Sequence, residues 1–301
     1  MQLTAIGVDL GGTRIKIVAI DTTGEVLHQV YVPTQDEGDA AWRENVLKSV
    51  AEVRKTLSLQ GGVVIGLSAP GVSNGDNTAI AFMPGRLQGL EGLVWADQFD
   101  CGAWVVNDAV AALVAENRAG AAVGKKNVVL LTLGTGVGGA ILIDGRPYSG
   151  AFNKAGHLGH LTLNSHGDAD ITGIPGSLED AIGNCTIHKR SLGRYRYTHE
   201  LLDDYHKGDY FAQWVWLTSV RNLAVGIASL TNILSPEIVL LGGGITEAGD
   251  DLFKPLERFM ALYEWRLQGN KAVIQKARFG DFAGAIGAAY FALEQHNTNN
   301  R

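Results

Sequence analysis

Val105-Val106-Asn107-Asp108 leads from an apolar run into an Asn-Asp pair and then into the alanine-rich stretch 109–119. The apolar run reads as a short strand, Trp104 to Val106, and the stretch from Asp108 to Ala119 as a helix with Asn107 at its favoured N-cap. A carboxylate at that junction meets the positive end of the helix, which keeps it ionised. Phosphoryl transfer to an alcohol needs such a group, one that accepts the hydroxyl proton as the new bond to phosphorus forms. Asp108 is therefore the candidate base, and Asn107 a candidate anchor for a neighbouring hydroxyl. By itself the dipeptide also reads as a plain capping pair.

Three glycine bends follow apolar strands. Asp9-Leu10-Gly11-Gly12-Thr13 sets a carboxylate at a strand end, two glycines in the turn and a hydroxyl beyond. Its exposed N–H groups and Thr13 can meet phosphate oxygens, and Asp9 can hold magnesium directly or through water. Alone, this segment is also an ordinary hairpin turn. Gly134, Gly136 and Gly139 fit G-x-G-x-x-G, but a dinucleotide fold requires a helix next, and Ala140-Ile-Leu-Ile-Asp144 reads as a strand. No G-x-x-x-x-G-K-[ST] segment exists, which excludes a P-loop. Gly242-Gly243-Gly244 ends the strand Ile238–Leu241. A nucleotide clamped between two domains accounts for all three bends.

The elements around these bends alternate. Strands are expected over 3–9, 15–21, 26–32, 63–68, 128–133 and 140–144, with helices over 41–57, 209–234 and 284–294. Gly61-Gly62 should end the first helix, and the polar tail from Gln295 should fray. Strand, glycine turn and strand at 3–21 and again at 128–144 repeat a plan rather than letters. The expected fold class is α/β: two related domains with mixed sheets flanked by helices, facing a cleft. Residues 1–110, completed by a C-terminal helix over 284–301, form the first domain, and residues 111–283 the larger second.

Composition narrows the function. With 301 residues and 46% hydrophobic content, the chain can bury a large core. Its formal charge of −6 argues against a nucleic-acid partner. Cys101 and Cys185 are far apart and outside metal-type spacing, which suits a reducing compartment. No signal segment and no apolar run of roughly 20 residues is present, so a soluble, cytoplasmic protein without membrane contact is expected.

As a set, Gly7–Lys16, Gly66–Gly71, Val106–Ala109, Leu133–Gly139, Gly156–His160, Gly176–Glu179 and Leu241–Gly244 resemble the ROK family of sugar kinases and repressors, in family order and across nearly the whole chain. The family belongs to the actin-like ATPase superfamily. The resemblance implies two actin-like (ribonuclease H-like) domains that phosphorylate a hexose or related sugar, with ATP and Mg2+. It implies that Asp108 is the base, with Gly71, Asn107, His157, His160 and Glu179 around the sugar. Asp9, Gly11, Gly12, Thr13, Lys16, Gly134, Thr135 and Gly136 would hold phosphates, and Gly242, Gly243 and Gly244 the adenosine side. A homodimer is expected by analogy.

Two departures stand out. Many members bind a structural zinc through the motif His and three cysteines. Here the cysteine positions are Asp170, Thr172 and Ser177, so no zinc is expected and the loop must be held by packing or hydrogen bonds. His157 stands where the family usually has Glu, which leaves the sugar open. A DNA-binding domain ahead of the first strand is not expected, since that strand starts within a few residues of Met1. Two rival readings remain at this level: a catalytically weak sugar-binding protein, and a sugar kinase that uses polyphosphate.

Overall fold

Thr4–Leu10 (β1) is buried at every residue, and so is Val63–Ala69. Strands of that kind need apolar cover on both faces. The computed structural model, which describes residues 3–36, 40–59, 62–83 and 85–299 (the side chain of Asn299 excepted), shows what covers them. The chain forms two compact units, residues 1–124, 149–154 and 278–301 in the first, and 125–148 and 155–277 in the second.

In the first unit β1 pairs antiparallel with Arg14–Asp21 (β2), and β2 with Val26–Pro33 (β3). Helix α1 (Ala41–Thr56) places Trp42, Val46, Val50 and Val53 on one face of the sheet, against Ile6, Val8 and Ile65. Glu44 in its first turn and Arg54 and Lys55 in its last oppose the charges of the helix dipole. Val63–Ala69 (β4) runs parallel to β1. The small hairpin of Val72–Ser73 (β5) and Ile80–Phe82 (β6) follows, and Ala103–Asn107 (β7) then runs parallel to β4. Helix α2 (Asp108–Ala119) comes next.

The other face of this sheet is covered by the C-terminal helix, Ala283–Asn299, whose Ala285, Ala289 and Ala292 pack on Ala5, Val18 and Val64. Small residues let the backbones approach closely. A Cβ on Gly66 would lie 1.8 Å from the carbonyl oxygen of Ala288, so only glycine fits there. Buried Glu116 of α2 accepts from the N–H groups of Ala121 and Phe279, tying the exit of the unit to its re-entry.

The second unit opens with Val128–Leu133 (β8), Val137–Ile143 (β9) and Arg146–Pro147 (β10), an antiparallel meander. Helices Leu178–Ile182 (α3), Ile187–Arg190 (α4), Thr198–His206 (α5) and Tyr210–Leu234 (α6) follow. Ile238–Gly242 (β11) runs parallel to β8, and after α7 (Asp250–Tyr263) the strand Ile274–Lys276 (β12) runs parallel to β11. Val220, Leu223 and Ile227 of α6 and Leu252 and Leu256 of α7 pack on Val129 and Leu131.

The sheet orders are β3-β2-β1-β4-β7 and β10-β9-β8-β11-β12. Counting only its own strands, each sheet reads 3-2-1-4-5, three antiparallel strands and then two parallel ones, which is the repeated plan seen in the sequence. Details differ from expectation. The first unit runs on to Gly124 rather than changing at 110, because Ala111 and Val114 of α2 pack with Phe291 of the C-terminal helix. Strand β9 starts at Val137, three residues earlier than expected. The polar stretch from Gln295 stays helical to Asn299, helped by the Thr298 hydroxyl donating to the carbonyl of Glu294. Gly61, half of the expected helix stop, and residues 300–301 lie outside the described residues. Among the described residues no helix is long and apolar enough to cross a membrane.

Candidate active site

In the first unit the strand register gathers the polar groups. Lys16 lies opposite Asp9 across β1 and β2, and Ser68 lies beside Asp9 on β4. Lys16 Nζ donates to Asp9 Oδ2 at 3.1 Å and Ser68 Oγ to Asp9 Oδ1 at 2.7 Å. A Cβ on Gly284 would fall 2.5 Å from Asp9 Oδ1, so the carboxylate rests on the first turn of the C-terminal helix, whose dipole favours a negative charge. Gly11, Gly12 and Thr13 form the turn, and the Thr34 hydroxyl donates to the Gly11 carbonyl at 2.6 Å. Gly12 and Thr13 are exposed.

Asn107 holds local structure through both ends of its amide. Its Oδ1 accepts from the N–H groups of Ala109 and Val110, and its Nδ2 donates to the Gly71 carbonyl at 2.9 Å. It thereby joins the start of α2 to the Gly71 turn. Gly71 has φ +99°, and a Cβ there would meet the Phe82 carbonyl at 2.5 Å.

Asp108, next along, keeps its side chain open to solvent. Its pKa is pushed up to about 6, first by lost hydration in its crowded surroundings and then by the negative charge of Asp9. The Ala109 N–H, the Arg86 guanidinium and the Asn107 side chain pull the other way. A carboxyl at a helix start with its pKa raised toward neutrality suits a proton acceptor.

In the second unit Gly134-Thr135-Gly136 turns between β8 and β9. The Gly134 N–H donates to the Gly136 carbonyl at 2.9 Å, while the Asn184 and Cys185 N–H groups donate to the carbonyls of Gly134 and Thr135. Glu179 Oε2 accepts from the Val137 N–H at 2.9 Å and lies against Gly136, so this carboxylate grips the glycine turn. Among the described residues its Oε1 accepts no hydrogen bond. The second bend is held against β8: Gly243 has φ +88°, and a Cβ there would lie 2.4 Å from the Leu133 carbonyl. Gly134, Thr135 and Gly244 line one cavity of about 660 Å³ together with Asn184, Tyr197 and His199. Its far wall includes His206, hydrogen-bonded through Nε2 to Asp251 Oδ2 at 2.7 Å. That volume suits a nucleoside.

His157 precedes and His160 ends a short helical turn, Leu158–His160, where the His160 N–H donates to the His157 carbonyl at 3.3 Å. His160 Nδ1 is 3.0 Å from Asp170 Oδ2. Asp170 Oδ1 accepts from the Thr172 N–H, the Thr172 hydroxyl and the Ile174 N–H. The Ser177 hydroxyl caps α3 by accepting from the Asp180 N–H. The set His160, Asp170, Thr172 and Ser177 therefore does not fit zinc: its oxygens are spent on hydrogen bonds, and the two best donors face each other directly. The magnesium that accompanies a triphosphate is a milder demand, since it rests mainly on phosphate oxygens and water. Asp9 fits that role through water, its two oxygens already accepting from Lys16 and Ser68.

Thus Asp9, Gly11, Gly12, Thr13, Lys16, Gly71, Asn107 and Asp108 all belong to the first unit. Gly134–Gly136, His157, His160, Glu179 and Gly242–Gly244 belong to the second. Sequence reasoning missed Ser68, the cavity residues Asn184, Tyr197 and His199, and Arg86. Arg86 is exposed and makes no hydrogen bond or ion pair with another described residue, yet its Nη1 lies 3.3 Å from where a Cβ of Gly12 would be. No local sequence signal marks Arg86, whose approach to the glycine turn is a matter of the fold.

Comparison with known proteins follows the same lines. The profile of the ROK family matches residues 5–295. The glucokinase of Halalkalibacterium halodurans is 31% identical, over 97% of this chain and 96% of its own. The crystal structure of a ROK hexokinase from Thermus thermophilus superposes with a TM-score of 0.88 at 31% identity, covering 98% of this chain and 100% of that one. A ROK glucokinase from Streptomyces griseus, solved with glucose and AMPPNP, shares the fold at TM-score 0.76 and 24% identity, over 97% and 99% of the two chains.

Proposed function

Because the chain belongs to the ROK family, we propose that it transfers the γ-phosphoryl group of ATP to a hydroxyl of a hexose or related sugar, with Asp108 as general base. Sugar kinase activity in general is what the glucokinase and hexokinase relatives have in common. The observation that carries the finer reading is Asp108 itself, a solvent-open carboxyl at a helix start with its pKa pushed up to about 6.

In this reading Asp108 accepts the proton of the attacking hydroxyl. The new oxygen–phosphorus bond forms as the bond to the β-phosphate oxygen breaks, and ADP leaves with that electron pair. The Gly11–Thr13 and Gly134–Gly136 turns, Lys16 and Arg86 balance phosphate charge, and Asp9 would hold a magnesium ion, which would neutralise further phosphate charge. The cavity beside Gly244 takes the adenosine, which favours ATP over polyphosphate. His160, His157, Glu179 and the Asn107–Gly71 pair orient the sugar, with Asn107 acting chiefly through the Gly71 turn it holds.

A coupled ADP-release assay over a panel of hexoses and N-acetylhexosamines, with ATP and polyphosphate as alternative donors, tests this. Sugar-dependent turnover with ATP is expected. Sugar binding by calorimetry without turnover on either donor would turn the reading into that of a binding protein.

The pH profile gives a second expectation. Only ionised Asp108 can take a proton, so kcat/KM should be flat above pH about 7 and fall about tenfold per unit below about 6. An acid limb centred near 4 would mean that another group, or an unshifted one, controls the rate.

A further inference from the structure

We propose that Asp170 is a positioning residue that replaces a structural metal: it closes the loop 160–177 and fixes His160 with the proton on Nδ1, leaving Nε2 as a hydrogen-bond acceptor. The half of this inference that concerns sugar rests on the function proposed above.

The geometry assigns both jobs to one side chain. Asp170 Oδ1 takes three hydrogen bonds from Thr172 and Ile174, at 2.8, 2.7 and 3.0 Å, which folds residues 170–174 into a closed turn. The Asp170 N–H in turn donates to the Ile174 carbonyl at 2.9 Å. Oδ2 is left to face His160 Nδ1 at 3.0 Å. The Asp170 side chain is 2% exposed and that of His160 28%, so the carboxylate is locked inside while the ring keeps one edge open. Burial alone would raise the Asp170 pKa, but the His160 and Thr172 hydrogen bonds outweigh it and hold the group far below the usual carboxylate range.

A carboxylate without a proton can only accept. The shared hydrogen must therefore sit on Nδ1, and the neutral ring then offers its Nε2 lone pair. A metal bound at Nδ1 would leave the opposite nitrogen protonated, as a donor. The replacement of thiolates by Asp170, Thr172 and Ser177 is thus a change in what the ring presents to a ligand: an acceptor, suited to a sugar O–H.

Asp170→Asn separates this role from a merely structural one. Asn keeps the turn through Oδ1 but aims an N–H at His160 Nδ1, which forces the hydrogen to Nε2. In long-range 1H–15N spectra of the full-length protein, with His160→Gln used for assignment, the wild type should show a protonated Nδ1 and a bare Nε2 at pH 8. The Asn variant should show the reverse. Its KM for the preferred sugar should rise about tenfold, the cost of turning one acceptor into a donor, with KM for ATP changed less than about twofold. Added zinc should leave the melting temperature unchanged.

A wild-type ring protonated at Nε2, a tautomer unmoved in the variant, or stoichiometric zinc whose removal lowers stability would each overturn the proposal. If the wild type shows no sugar-dependent turnover at all, the proposed function and the sugar half of the inference fail together. The spectra and the zinc titration then decide the loop clamp alone.

Discussion

Asp108→Asn is expected to lower kcat by about 10²–10⁴-fold, the range that general-base groups contribute, while sugar affinity measured by calorimetry stays within about threefold of wild type. The side chain keeps its shape and its place at the start of α2, where Asn107 supplies the main cap. What changes is the capacity to accept a proton. The same substitution should slightly stabilise the fold. In the folded protein the Asp108 pKa lies above its ordinary value, so the folded state holds the proton more tightly than the unfolded chain. Its contribution to stability is greatest below the ordinary carboxyl value and is lost as pH rises through about 6. Asn removes that loss, so the variant should melt higher than wild type at pH 8 and equally at pH 3.5. The gain is at most about 1 kcal/mol, because water at the exposed carboxyl screens it. A variant with near-normal turnover would remove Asp108 from the role, whatever its melting point.

Arg86→Ala should cost about 10²–10³-fold in kcat, as expected for a charge aimed at phosphoryl oxygens. Arg86→Lys should recover only part of it, since an ammonium is a point charge without the guanidinium fork. A second signature distinguishes this role from a structural one. The Arg86 charge lowers the Asp108 pKa, so its removal should move the acid limb of kcat/KM to higher pH. Both arms can be read from one set of pH-rate profiles. Wild-type turnover with an unmoved limb would reduce Arg86 to an exposed surface residue.

Much of this protein was legible because its strands are apolar runs closed by glycines. The bends at Gly11, Gly134 and Gly242 and the Asn107–Asp108 junction announced themselves locally, and the doubled strand–turn–strand plan became two sheets of the same order. Contacts set by register did not show. Nothing in Gly66-Leu67-Ser68 says that Ser68 will lie beside Asp9, and nothing in 83–92 says that Arg86 will reach Gly12. Glu179 resembled a sugar ligand, and nothing in 176–179 says that one of its oxygens also holds the Gly136 turn. Asp170 looked like a lost cysteine, whereas its two oxygens occupy four donors. The division between the units was misplaced because α2 packs by shape on a helix that lies far away in sequence.

The C-terminal helix covers strands that begin at residue 4, so the order of synthesis and the order of completion are opposed. While a nascent chain is leaving the ribosome, β1 and β4 have one face bare until residues 283–299 emerge. The second unit, whose segments end at Ala277, already has its whole sheet. A messenger truncated just before codon 283 should therefore yield a protein with residues 155–277 resistant to protease and residues 4–69 readily cut. Equal resistance in both stretches would show that the early strands hold together without their last helix.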